Sequence, residues 1–345
     1  MGEWKECKLG DVMIFGNGKE RPKTEGIYPI YGGNGILGYC DQFNFQDEII
    51  IIGRVGAYCG SLFYEDKRIW ISDNALSAKP KGRNDIKFLF YFLKNLKLNQ
   101  FAEGSSHPLL TQTLLNSIEI TIPESESEQR AIASVLSSLD DKIDLLNREN
   151  QTLEQMAEAL FRQWFIEEAD EQWEEVTLGD FFPVITGEKD ANFATDDGSY
   201  PFFTCSKRTL WAPTYSFDGP AILLAGNGDF NIKHCVGKFE AYQRTYVLIP
   251  YDPVYFGFLL TLMKYYLSEI TSGHQGSVID FITKPMIKSF TFLLPKHRDS
   301  IQDNLVYLNE LYKKIDINSS QILTLEKLRD TLLPKLMSGE VRVKL

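Results

Sequence analysis

A chain of 345 residues, 43% hydrophobic and 24% charged, is long enough for about two domains with real cores. It has no apolar run near the roughly 18 residues of a membrane span. Five scattered cysteines, none in a C-x-x-C, argue against a disulfide framework or a zinc ribbon and fit a reducing, cytoplasmic setting. The opening Met1-Gly-Glu-Trp-Lys has neither the basic nor the apolar part of a secretory signal, so none is expected. The net charge of −11 is uneven. Residues 124–172 carry 13 acidic and 4 basic side chains, while residues 1–123 hold 14 of each, so a local patch can still attract phosphate.

In chain order, the first element is "WKECKLGDV" (Trp4–Val12), which returns as "WEEVTLGDF" (Trp173–Phe181). The following stretch is rich in Gly, aromatics and short β-type runs. "EIIIIG" ending at Gly53 is echoed by "AILLAG" ending at Gly226, and Tyr28-Pro29 by Tyr200-Pro201. Turn residues punctuate these runs, which predicts an α+β domain of short strands. "IKFLFYFLKNL" and "VYFGFLLTLMKYYL" are predicted as helices. "TQTLLNSIEITIP" (Thr111–Pro123) returns as "TKPMIKSFTFLLP" (Thr283–Pro295), 172 residues later. Several echoes in one order at a nearly fixed offset mark a tandem duplication.

Each copy ends in a long helix. Ser125 to Phe165 has no Gly or Pro, and its acidic start suits a helix N-terminus. Ile132, Leu139, Leu146, Leu153 and Leu160 recur every seven residues, with Leu136, Ile143, Asn150, Ala157 and Trp164 four after each. This is an a/d seam of more than four heptads, the coiled-coil pattern. The second seam runs Leu308, Leu311, Ile315, Asn318, Ile322, Leu325, Arg329, Leu332 and Leu336. Each seam holds one asparagine. An antiparallel pairing that sets Asn150 opposite Asn318 also sets Leu153 against Ile315 and Leu136 against Leu332, so the amide pair is expected to fix the register.

Catalytic motifs are missing. "GGNGILG" contains Gly33-x-Gly35-x-x-Gly38, but no helix start follows, so a glycine-rich turn is the reading. Asp47 with Glu65-Asp66-Lys67 resembles a nuclease metal site only loosely and is absent from the second copy, so neither a catalytic nor a metal residue is assigned. The candidates for recognition are polar loop residues in two sets. The first copy offers Lys19, Arg21, Lys23, Asn34, Arg54, Tyr58, Ser105 and His107. The second offers Lys189, Lys207, Arg208, Asn227, Asn231, Lys233, Arg244, His274, Gln275 and Ser277. Arg reads guanine and Asn or Gln adenine, while Lys and Ser hold phosphates.

On these residues the chain resembles the specificity (S) subunit of type I restriction–modification enzymes over its whole length. The marks are "W-x-x-x-x-L-G-D" opening each half, "T-x-x-x-[LM]-x-x-[IF]" before Pro123 and Pro295, and the helical stretches "EQRAIASVLSSLDDKIDLLNRENQTLEQMAEALFRQWF" and "LEKLRDTLLPKLMSGEVRV". "HRDSIQDNLVYLNEL" departs from the Glu-Gln pair common there. The resemblance implies two tandem target-recognition domains, residues 1–123 and 173–295. Helical spacers at 124–172 and 296–345 would join them as an antiparallel coiled coil, giving a pseudo-two-fold internal repeat. It also implies a non-catalytic chain reading a bipartite gapped site in double-stranded DNA, with two modification subunits and restriction subunits as partners. S-adenosylmethionine, Mg2+ and ATP would act on those partners, none in this chain, and no membrane is involved. Two other classes stay open: a stand-alone DNA-binding regulator, and an acidic DNA mimic acting on a protein partner.

Overall fold

The computed structural model describes residues 3–104, 108–273 and 280–344. The chain forms two compact units, residues 1–144 with 322–345, and residues 145–321. Both boundaries fall inside long helices.

In the first unit, β1 (Trp4–Lys8) pairs antiparallel with β9 (Glu119–Pro123). Between them lie β2 (Met13–Asn17), β3 (Tyr28–Gly32), β4 (Gly35–Cys40), β5 (Ile49–Gly53), β6 (Leu62–Glu65), β7 (Trp70–Ile71) and β8 (Ala75–Pro80). One sheet has the order β2-β8-β5-β6 and the other β4-β3-β7, with β3 and β7 parallel. The run Ile49–Ile52 is wholly buried because each face of β5 meets a different core. Ile50 and Ile52 join the large cluster containing Phe88 and Leu89, while Ile49 and Ile51 join Tyr31, Ile69 and Ile71. A strand covered on both faces reads as a continuous apolar run. The helix Ile86–Leu96 supplies the cover. It starts where Asp85 accepts a bond from the Phe88 amide and stops at Lys97, in the left-handed region.

The second unit repeats this plan. β10 (Glu174–Thr177) pairs with β17 (Thr291–Leu294) as β1 pairs with β9. A six-stranded sheet contains β11 (Ile185–Thr186), β12 (Tyr200–Phe203), β13 (Leu210–Ala212), β14 (Phe217–Ala225), β15 (Ile232–Ala241) and β16 (Thr245–Leu248), in the order β11-β16-β14-β15-β12-β13. Here one long strand, β15, does the work of β6 and β7. It pairs antiparallel with β14 and parallel with β12, so one sheet replaces two. The apolar run again divides its faces: Ile222 and Leu224 go to the helix-side core, Ala221 and Leu223 to the other. The predicted helix "VYFGFLLTLMKYYL" spans only Phe256–Tyr265 and breaks at Tyr266 before a short turn of helix, Leu267–Thr271.

The first long helix is Glu126–Arg162 and the second Gln302–Met337. The first passes into a wider π turn at Gln163–Glu167, and Phe161 and Phe165, four residues apart on one face, both reach Phe258, at ring distances of 5.7 and 4.6 Å. Within the first unit, Ile132 and Leu136 share a core with Leu332, Leu333, Leu336 and Met337. Arg329 Nη1 donates to Asp140 Oδ1 at 2.7 Å, and the Tyr91 hydroxyl donates to the other oxygen of Asp140 at 2.7 Å. Within the second unit, Asn318 Nδ2 donates to Asn150 Oδ1 at 2.9 Å, Lys314 meets Glu149 at 3.3 Å, and Trp164 packs edge-on to Tyr307. In both sets, later residues on the first helix meet earlier residues on the second, as Asn150 with Asn318 and Trp164 with Tyr307 show, so the two helices run antiparallel. Among the described residues, no helix is long and apolar enough to cross a membrane.

Candidate nucleic-acid interface

The duplication is written in backbone hydrogen bonds. Gly56 N donates to Pro108 O and Gly228 N to Asp280 O; Leu110 N donates to Arg54 O and Ile282 N to Gly226 O. Each pair of residues is related by the same 172-residue offset. Isolated bridges repeat it, Val55 to Leu109 and Asn227 to Phe281. Each unit therefore brings its buried apolar strand (β5 or β14), the loop after it, and the segment near residue 109 or 281 to one place.

A tight turn completes the place. In the first unit Asp73-Asn74 joins β7 to β8, and in the second Gln243-Arg244 joins β15 to β16. Arg54 N donates to Asn74 O at 3.0 Å, and Gly226 N to Arg244 O at 2.9 Å. Lys19 bridges Ser72, just before the first turn, and Lys189 bridges Tyr242, just before the second. In the first unit the hairpin turn Gly33-Asn34, between β3 and β4, is also close. A Cβ built on Gly33 would lie 3.5 Å from both Gly53 and Tyr58 and 3.8 Å from the Asn74 carbonyl.

The structure thus gathers Lys19, Asn34, Arg54 and Tyr58, and Tyr58 and Asn34 are exposed. Arg54 is half-buried, its Nε without a partner among the described residues. Arg21 and Lys23 are also exposed, but Arg21 Nη2 donates to Leu37 O at 3.2 Å, which ties that loop to β4. In the second unit, Asn227 and Arg244 line a hollow of about 260 Å3 with Thr186, Gln243, Tyr246 and Phe281. Lys189 stands beside it, its Nζ 5.0 Å from the Phe193 ring.

A neighbouring loop, residues 204–208, holds the rest. Lys233 Nζ donates to the Thr204 and Ser206 carbonyls, and burial lowers its pKa. Asn231 Nδ2 donates to the Cys205 and Asp229 carbonyls at 2.8 Å. These two side chains brace the loop from inside. Arg208 is exposed, and Lys207 is paired to Asp229 at 3.1 Å. Cys205 Sγ reaches the Arg244 carbonyl at 3.3 Å, so the loop borders the turn. Ser105, His107, His274, Gln275 and Ser277 lie outside the described residues.

Sequence reading missed Asn74, Gln243 and Phe281. "SDNALS" and "YQRTYV" share no residue at any aligned position, so only the backbone pairing reveals that their turns are equivalent. Among the described residues no three His, Cys, Asp or Glu side chains cluster as metal ligands. Asp47 sits 3.8 Å from Lys79, and Glu65 accepts from the Tyr31 hydroxyl. What the two places offer is exposed amide, guanidinium and ammonium groups on fixed turns, suited to base edges and phosphates.

The chain is similar to known proteins. The EcoDI specificity subunit of Escherichia coli, a type I restriction enzyme subunit, is 38% identical over 172 residues, 49% of this chain and 38% of that protein. The MjaIX specificity subunit of Methanocaldococcus jannaschii is 26% identical over 326 residues, 79% of this chain and 75% of that one. The chain thus spans well under half of the first relative's length and three quarters of the second's. The crystal structure of a type I restriction–modification S subunit from M. genitalium superposes with a TM-score of 0.70 at 20% identity, covering 97% of this chain and 96% of that one; this likeness concerns the fold. The family described as type I restriction modification DNA specificity domain matches residues 1–155 and 170–327, most of the sequence, and the chain belongs to that family.

Proposed function

We propose that this chain is the DNA sequence-recognition subunit of a type I restriction–modification complex, itself non-catalytic. It reads a bipartite, gapped site in double-stranded DNA, one half through each repeat. The observation that carries this reading is the duplicated place just described. Two unlike sets of polar side chains stand on the same backbone frame, as an asymmetric two-part site requires. Residues 1–123 and 173–295 act as the two target-recognition domains. Residues 124–172 and 296–345 act as the spacer, a coiled coil whose register and length set the gap. The antiparallel contacts support that role, and the pseudo-two-fold organisation rests on the sequence offset.

The partners in this reading are two modification subunits, which bind S-adenosylmethionine and methylate adenine N6, and restriction subunits that use Mg2+ and ATP. The complex works in the cytoplasm, where the DNA is. The test is to co-express the chain with its modification subunit and map N6-methyladenine across the host genome. A gapped two-part motif that disappears when the chain is omitted is the expected result. Methylation at a continuous motif, or unchanged without the chain, would overturn the proposal in favour of a stand-alone regulator or a DNA mimic.

A further inference from the structure

The turns Asp73-Asn74 and Gln243-Arg244 are the same structural element carrying different side chains. Each follows a residue bridged to a lysine, Ser72 to Lys19 and Tyr242 to Lys189. The carbonyl of each second turn residue is pinned by the amide just past the central strand, at 3.0 and 2.9 Å. Backbone position is therefore fixed in both units, while the Asn74 and Arg244 side chains are exposed. Among the described residues, neither side chain makes a hydrogen bond or ion pair.

Their neighbours are less free. The Gln243 amide donates to Asp190 at 2.8 Å, and the Lys233 ammonium is bonded to carbonyls of its own domain. Arg244 instead opens onto the hollow walled by Asn227, Tyr246 and Phe281. A fixed backbone with a free polar tip is what direct base reading needs, because the tip must meet a base edge at a defined depth.

We propose that Asn74 and Arg244 are paired base-specifying residues: Asn74 pairs with an adenine in one half-site and Arg244 with a guanine in the other, with Lys19 and Lys189 on the adjoining phosphates. The chemistry follows from the side chains. A carboxamide matches N6 and N7 of adenine, and a guanidinium matches O6 and N7 of guanine, each through two hydrogen bonds. This inference rests on the reading of the chain as a DNA-recognition subunit.

The experiment uses the full chain co-expressed with its modification subunit, as wild type, Arg244→Asn, Arg244→Lys and Asn74→Arg, with N6-methyladenine mapped for each. Arg244→Asn is expected to relax or convert one G·C position in one half-site and leave the other half-site unchanged. Asn74→Arg is expected to alter one A·T position in the other half. Arg244→Lys separates base reading from phosphate binding. It keeps the charge but not the two-pronged geometry, so the same G·C position should relax. In binding assays with synthetic duplexes, the wild-type complex should discriminate against the changed base by about tenfold or more, and the variants should not. A wild-type map without a two-part motif would sink the functional reading itself. A two-part motif kept by every variant, or methylation lost in a way that no single base change in the DNA restores, would overturn the assignment of Asn74 and Arg244.

Discussion

Asn318, fully buried on the second long helix, donates through Nδ2 to Asn150 Oδ1 on the first at 2.9 Å, while Asn150 Nδ2 reaches Ser319 Oγ at 3.4 Å. Leu311 and Ile315, earlier in the same seam, are buried, and the Asn318 Oδ1 has no partner among the described residues, so the Nδ2 bond to Asn150 is the one that satisfies this amide. Replacing Asn150 alone by Leu strands the Asn318 amide, at a cost of about 1–3 kcal/mol. The double variant Asn150→Leu/Asn318→Leu should recover most of that loss, because neither amide is then left unpaired. Thermal melts of the wild type, both single variants and the double variant form the cycle. Additive losses would mean that the two amides are independent.

Gly18 and Gly187 precede Lys19 and Lys189 by one and two residues, and each runs tight against the opposite backbone. A Cβ on Gly18 would collide with the Ser72 carbonyl, and one on Gly187 with that of Ala241. Backbone cannot yield as a side-chain tip can. Gly187→Ala should therefore displace the Lys189 segment and lower stability by about 1–3 kcal/mol, with weaker DNA binding by the complex. Alanine at Gly228, where nothing lies within 4 Å but φ is +72°, should cost only the roughly 1–2 kcal/mol of a left-handed residue. Denaturant titration of the two variants compares these costs directly.

Burial, with the Asp316 carboxylate adding to it, pushes the Cys235 thiol up to about 12. An unfolded thiol titrates near 8.5, so the fold favours the neutral form. That contribution is complete below about pH 8.5 and is lost as pH climbs toward the folded value. Between roughly pH 9 and 11 the melting temperature of the wild type should fall more steeply than that of Cys235→Ala. Identical slopes would remove Cys235 from the alkaline response.

The two paired helices make a length prediction. Seven residues inserted after Asp144 and another seven after Gln321 add about 10 Å of helix and keep the heptad phase. The methylated motif should keep both half-sites while its gap widens by about three base pairs. An insertion in one helix alone breaks the pairing and should abolish methylation. An unchanged gap in the double insertion would contradict the spacer role.

The sequence shows the helices and the duplication because both rest on spacing. Leucines every seven residues and a repeat at 172 survive as patterns whatever the loops contain. The Asn150–Asn318 contact was legible for the same reason, since a polar residue interrupts an otherwise apolar seam in each helix. Arg329 was legible only as another break in the seam; its partner Asp140 lies on the opposite helix, where no local pattern points to it. The parallel pairings of β3 with β7 and β12 with β15 were invisible, because registers of two residue pairs each leave no periodicity. Asn74 escaped notice since its equivalent is an arginine, and Lys233 looked like a surface cation although its ammonium turns inward to two carbonyls. Burial of a lysine head depends on where the Thr204–Ser206 loop folds, which the lysine itself does not encode.

The boundary inside both long helices has a consequence for how the protein is made. Residues 145–321 are contiguous, so the second unit can close as soon as they have left the ribosome. The first unit cannot. Its core is completed by Leu332, Leu333, Leu336 and Met337, and it holds residues 322–345 as part of its own body. During the intervening synthesis, at about 5–20 residues per second, Ile132 and Leu136 have no partner helix. The half translated first is thus the half finished last, and for those seconds the apolar side chains that Leu333, Leu336 and Met337 will cover are open to a chaperone or to a neighbouring nascent chain.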